Sequence, residues 1–253
     1  TAYTGMVNEQ NRMDIMTNNL ANASTVGYKK EGSTSQSFDD VLTVKIKDQS
    51  VGMRNVQRLG VKNPGVKIGE NYTDYSQGSF RITGNTYDLA LSGEGFFAIE
   101  FTNKAGETDT KYTRAGQFTL NKDGYLVTEE GDYVLDTQNR RIRLNTLIDS
   151  SITDDGTIYQ NGQAVAKIQV TDFEDYDYLE KYGETYYQPI QGAKTIAAKA
   201  QVKSGYLEMA NVQIVSEMVN LISITRAYES NQKVVQTIDD TLDVAVNQIG
   251  RVQ

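Results

Sequence analysis

From Val212 to Ile249 the chain runs 38 residues without a glycine or a proline. Nothing else in the sequence limits the fold as strongly. Within this run Ile214, Met218, Leu221, Thr225, Tyr228, Gln232, Val235, Asp239, Leu242, Val246 and Ile249 alternate steps of 4 and 3, and eight of the eleven are apolar or aromatic. That period lays one stripe along a helix. Val215, Ile222, Ile238 and Ala245 widen it. At about 1.5 Å per residue the helix would be roughly 57 Å long. A central body from about Gly84 to Gly205 would measure only about 30–35 Å across. A stripe so much longer than the body it belongs to cannot be covered by that body, so other copies of the chain are expected to cover the remainder.

The N-terminal end also reads as helix. Ala2, Met6, Glu9, Met13, Met16 and Leu20 step by 4, 3, 4, 3 and 4, again one stripe. At about 30 Å it could shield perhaps half of the C-terminal stripe. The centre reads as strand and turn. FFAIEF (Phe96 to Phe101), QFTLNKDGYLVT (Gln117 to Thr128) and AKIQVTDF (Ala166 to Phe173) are β-branched, aromatic or alternating. Asp123-Gly124, Asp155-Gly156 and Asn161-Gly162 supply tight hairpin turns. The fold class expected is therefore α+β: terminal helices pairing as a coiled-coil-like element, with a central antiparallel β-rich domain. The boundaries read as 1–30 for the N-terminal helix and its following signature, 31–83 for an extended connector with short strands such as VLTVKIK, 84–205 for the β-rich domain and 206–253 for the long C-terminal helix.

Composition removes most enzyme classes. The 253 residues contain no Cys, no His and no Trp. Without them there is no Ser-His-Asp triad, no thiolate nucleophile and no ordinary zinc site. A net charge of −8 opposes binding to a phosphate backbone, and no apolar run is long enough to span a membrane. LSGEGFF (Leu91 to Phe97) lacks the third glycine and following helix of a dinucleotide loop and reads as a tight turn. NKDG (Asn121 to Gly124) lacks the ligands of a calcium loop. The acidic run TDFEDYDYLEKYGE (Thr171 to Glu184) leaves one rival open, a cell-wall glycan hydrolase using carboxylates such as Glu174 and Asp177. The 16 tyrosines leave another, a sugar-binding β module with helical tails. No catalytic, cofactor or metal residues are assigned.

One stretch resists a purely structural account. NNLANASTVGYKK (Asn18 to Lys30) ends a patterned helix in amides and hydroxyls, although a single cap would stop it. Asn18, Asn19 and Asn22 are suited to bonding across crowded helix ends. TNNLANASTVGYKK (Thr17 to Lys30) also resembles the signature of bacterial flagellar axial proteins. DLALSGEGFFAIE (Asp88 to Glu100), YTRAGQFTLNKDGYLV (Tyr112 to Val127) and the stretch from Gly205 to Ile249 agree with that family in order and spacing. The size is similar to the basal-body rod members rather than to the hook.

The resemblance implies a non-enzymatic structural subunit, without cofactors. It implies that the terminal helices of many subunits pack into a hollow helical shaft transmitting motor torque to the hook, with the β domain outside. Met6, Met13, Met16, Asn18, Asn19, Leu20, Asn22, Ile214, Met218, Leu221, Tyr228, Val235, Leu242, Val246 and Ile249 would then form the subunit interface. The implied partners are further copies, other rod subunits, the hook protein and surrounding ring proteins, with no nucleic acid and no membrane span. The implied location is the basal body, reached through the flagellar type III apparatus without a cleaved signal. The family carries a few more residues ahead of the position of Thr1. Proximal versus distal rod is left open.

Overall fold

A computed structural model describes residues 2–46, 56–103 and 106–249, the side chains of 42–46, 56–59, 248 and 249 excepted. The chain divides into two compact units, each assembled from separated segments. One comprises Thr1–Leu20, Glu31–Asp74 and Ile214–Gln253; the other comprises Ala21–Lys30 and Tyr75–Gln213.

In the first unit α1 spans Ala2–Ala21 and α2 spans Ile214–Ile249. Between them in sequence lie β1 (Glu31–Ser37), β2 (Val41–Ile46), β3 (Val56–Lys62) and β4 (Val66–Thr73). β1 pairs antiparallel with β4 and β2 with β3, so the four strands make one long two-stranded ribbon. Where the ribbon passes Pro64, which has no N–H to give, the Phe38 N–H donates to Gly65 O (2.9 Å) and Asn63 Nδ2 donates to Phe38 O (3.0 Å). Across the β1–β4 pair the Tyr72 ring lies over Gly32, so close that a methyl group there would meet the ring carbon at 2.5 Å.

The apolar stripe of α1 is half-buried in a single copy. The buried residues of the helix are Asn8, Ile15 and Asn19, whereas Met6, Met13, Met16 and Leu20 are half-buried. Two amides tie this helix to β1. Asn8 Nδ2 donates to Ser35 Oγ (3.0 Å) while that hydroxyl donates back to Asn8 Oδ1 (3.1 Å). Asn19 Nδ2 donates to Glu31 O (2.8 Å) and Asn19 Oδ1 accepts the Glu31 N–H (2.9 Å). A carboxamide carries the same donor and acceptor as a peptide group, so Asn19 bonds to β1 as a neighbouring strand would.

The second unit is β-rich and antiparallel. Its largest sheet runs in the order 179–182, 186–189, 108–113, 96–102, 133–134, 126–128, 118–120. Strand Val170–Phe173 pairs with both Phe96–Thr102 and Thr195–Ala197. The central strand begins Phe96-Phe97-Ala98-Ile99, all four fully buried. Alternate side chains of a strand face opposite ways, and the two phenylalanines accordingly enter different cores. Phe97 packs with Leu89, Leu91, Phe118, Leu126, Ile142, Ile158 and Val202, whereas Phe96 packs with Tyr112, Leu135, Phe173, Leu179 and Tyr187. The second core is mostly aromatic. Phe96 lies 5.3 Å from Tyr187, 5.8 Å from Tyr176 and 5.9 Å from Tyr75, centroid to centroid. Much of the tyrosine content is thereby spent on packing.

The turns follow their residues. Asn161 (φ 50°) and Gly162 (φ 75°) are both left-handed, joining Thr157–Gln160 to Gln163–Lys167 as a tight hairpin needs. Gly124 (φ 83°) and Gly156 (φ 80°) serve two further hairpins. The stretch AKIQVTDF, expected as one strand, is two, because the chain breaks around Ile168 between Gln163–Lys167 and Val170–Phe173. Near the end of the unit Gln201–Ser204 pairs with Leu89–Ser92, and Tyr206–Glu208 pairs with Phe80–Ile82.

Candidate subunit interface

α2 is 36 residues long, about 54 Å, and little of it is covered. Glu217 and Ile224 are its buried residues among those described. Leu221, Thr225, Tyr228, Asn231 and Val235 are half-buried along one side. On that side the Thr225 hydroxyl lies 3.9 Å from Met13 Sδ, and a methyl group added at Gly5 would stand 3.1 Å from the Asn231 amide. Rising numbers on α1 thus meet falling numbers on α2, so the two segments touch in opposite directions.

The remainder of the stripe is bare. Ile214, Val215, Met218, Val219 and Ile222 are exposed near the start of α2, and Leu242 and Val246 are 58% and 70% exposed near its end. Between Gln236 and Asn247 every side chain except Ala245 is exposed. Large exposed apolar patches mark interaction surfaces. Of the anticipated interface residues, then, Ile214, Met218, Leu242 and Val246 are open to solvent, while Met6, Met13, Met16, Leu20, Leu221, Tyr228 and Val235 are partly covered. The side chain of Ile249 lies outside the described residues.

The three amides separate. Asn18 is exposed, Asn19 is fully buried against Glu31, and Asn22 is buried. Asn22 O accepts the Thr25 N–H (3.1 Å), and Asn22 Oδ1 accepts the Thr25 hydroxyl (3.1 Å). Asn19 and Asn22 therefore bond within their own chain.

The loop after α1 is seated on a buried charge cluster that the sequence did not single out. Lys29 Nζ donates to Glu208 Oε1 at 2.6 Å and to Ser76 O at 2.8 Å. Arg114 Nη1 donates to Glu208 Oε2 at 3.3 Å. Lys29 and Glu208 are fully buried and Arg114 is 3% exposed. Gly27 (φ +70°) lies so close to Ala115 that a Cβ would sit 2.3 Å from the Ala115 nitrogen, a fit only glycine allows. Tyr28 is buried beside it, with Lys181 Nζ 4.2 Å from its ring centroid. The signal present in the sequence was the run Gly27-Tyr28-Lys29-Lys30, but nothing in it pointed to the distant carboxylate.

The two carboxylates singled out in the acidic run do not build a catalytic site. Glu174 and Asp177 are both exposed, Glu174 pairing with Lys194 at 3.3 Å, whereas a catalytic acid needs a secluded carboxyl. Asp175 caps a short 3-10 turn at Tyr176–Tyr178 by accepting the Asp177 N–H. Among the described residues no group of carboxylates could hold a metal ion, and no helix is long and apolar enough to cross a membrane.

Residues 1–29 match the flagella basal body rod protein family, residues 90–162 the flagellar hook protein FlgE/F/G D1 domain, and residues 203–249 the C-terminal family of the flagellar basal body rod FlgEFG proteins. The chain is 34% identical to the flagellar basal-body rod protein FlgG of Bacillus subtilis over 98% of its own length and 97% of that protein's. The chain belongs to the flagellar basal-body rod protein family. The rod protein FlgF of Caulobacter vibrioides is 32% identical, covering 99% of this chain and 98% of that one. The hook-basal body complex protein FlhO of Bacillus subtilis is 29% identical over 100% of this chain and 98% of that protein. This member of the rod family is accordingly a structural subunit of the basal body and not an enzyme, and the glycan hydrolase and sugar-binding readings find no support.

Proposed function

We propose that this rod subunit polymerises through its terminal helices into a hollow helical shaft that carries motor torque to the hook. The observation that carries the reading is the bare apolar face of α2, with Leu242 and Val246 mostly in solvent. Within one subunit α1 and α2 pair in a coiled-coil-like manner, supported by the approach of Met13 to Thr225 and of Gly5 to Asn231. Between subunits Ile214, Met218, Leu221, Tyr228, Val235, Leu242, Val246 and Ile249 bury against Met6, Met13, Met16 and Leu20 of neighbours. Asn18, exposed at the end of α1, bonds across that contact, while Asn19 and Asn22 hold the helix end in shape. Such a contact joins unlike surfaces and does not close, so growth is open and helical.

In this reading residues 84–205 form the outer domain, 1–30 and 206–253 the shaft wall, and 31–83 reaches toward adjoining subunits. The partners are further copies, other rod subunits, the hook protein and ring proteins around the shaft, and export proceeds through the flagellar type III apparatus. Electron microscopy of the concentrated full-length protein tests the proposal. Hollow tubes whose helical reconstruction places α2 in the wall are expected. Discrete monomers at every concentration, or tubes with α2 on the outer surface, would refute it.

A further inference from the structure

Glu208 gathers bonds from three separated segments of its unit. Its carboxylate receives Lys29 Nζ (2.6 Å), Arg114 Nη1 (3.3 Å) and the Gly78 N–H (3.0 Å), and its backbone carbonyl receives the Gly27 N–H (2.8 Å). The neighbouring bonds repeat the pattern. The Lys30 N–H donates to Asn211 Oδ1 (2.7 Å), Asn211 Nδ2 donates to Ser76 Oγ (3.0 Å), and the Met209 N–H donates to Ser79 O (2.9 Å). The loop at residues 27–30 therefore rests on a surface of which 208–211 is an indispensable part. That part is itself seated by the pairing of Tyr206–Glu208 with Phe80–Ile82.

We infer that Glu208 is a latch: the loop 21–30 cannot dock ahead of strand Tyr206–Glu208, so the two sequence ends of this unit close together. The physical reason is the ammonium of Lys29, which leaves water completely on docking. Burying a charge is costly unless a partner of opposite sign waits in good geometry, and Glu208 meets it at 2.6 Å. The loop also accepts a left-handed Gly27 and a close backbone approach to Ala115, an arrangement with little freedom that the ion pair must hold. The two buried clusters of the core are drawn from residues between Leu89 and Val202, with Tyr75 and Tyr87 packed against them, and include no loop residue. Docking and core formation are thus separable, and the latch concerns one molecule whatever it assembles into.

Hydrogen exchange read by mass spectrometry on the dilute full chain tests this in two ways. In pulse-labelled refolding, protection of peptides within 21–30 is expected to rise together with that of 206–211 and never ahead of it. Earlier protection of 21–30 overturns the inference. At equilibrium, Glu208→Gln is expected to speed exchange at 21–30 at least tenfold more than at Phe96–Thr102 and Leu126–Thr128. Unaltered exchange at 21–30, or equal loss across both strands and loop, also overturns it, the second because Glu208 would then be an ordinary part of the core.

Discussion

Lys29 and Glu208 lie 179 positions apart in sequence and 2.6 Å apart in space, with neither side chain reaching solvent. The pair shows where this fold is sensitive. Exposed ion pairs add little to stability because water screens them, whereas removing one member of a buried pair strands the other in low dielectric.

Lys29→Ala should therefore lower the unfolding free energy by about 3–5 kcal/mol, the usual cost of breaking a buried pair. Lys194→Ala, which removes the exposed partner of Glu174, should barely move it. Urea midpoints of the two variants, measured side by side by circular dichroism, check the contrast.

Gly27→Ala should be nearly as damaging, for a steric rather than an electrostatic reason. The position combines φ +70° with a would-be Cβ 2.3 Å from the Ala115 nitrogen. Left-handed backbone alone costs an ordinary residue about 1–2 kcal/mol, and the clash adds to it. Alanine at Gly84, also left-handed but with no atom within 4 Å of its would-be Cβ, isolates the first contribution. Thermal denaturation of both variants should show Gly27→Ala melting well below Gly84→Ala.

Leu242→Asp should abolish polymerisation while leaving the monomer intact. The residue is 58% exposed in one copy, and substitutions at such sites usually change stability by under about 0.5 kcal/mol. Leu221→Asp should block assembly too, with some loss of monomer stability because Leu221 is half-covered. Sedimentation separates polymer from monomer, and swimming assays read the consequence in cells. Wild-type motility with either variant would refute the interface.

At alkaline pH the fold should weaken through Tyr186, which is buried beside Phe101. Burial lifts its hydroxyl well above the ordinary 10.0, with the Thr128 hydroxyl acting against that rise and the Asp132 carboxylate adding to it. A group whose folded value is raised contributes fully below its unfolded value and loses that contribution as pH climbs through the folded one. Stability should hold up to about pH 10 and fall beyond it, and Tyr186→Phe should fall less steeply. Denaturant midpoints between neutral pH and about pH 11 give the comparison.

What could be read in advance was local. The strand at Phe96–Phe101, the left-handed Gly124, Gly156 and Gly162, and the uncovered length of α2 each follow from a few neighbouring residues and a known period. On α1 the apolar spacing marks the methionine stripe, half-buried in one copy, but not the burial of Asn8 and Asn19, which their bonds to β1 set. Polar residues are expected outside, and no pattern along one helix shows that a strand will receive them. The charge cluster was invisible for a similar reason. Lys29, Arg114 and Glu208 look like ordinary surface residues until strand pairing brings three distant segments to one point.

The bond between Asn19 and Glu31 restricts what evolution can place at the end of α1. The Glu31 backbone offers one hydrogen and one oxygen at a fixed separation, and the matching group must supply the complement from a single methylene stem. A carboxylate would set oxygen against oxygen, glutamine would overshoot by a carbon, and a hydroxyl would reach only one of the two. Among the coded side chains, asparagine alone can impersonate a stretch of main chain there.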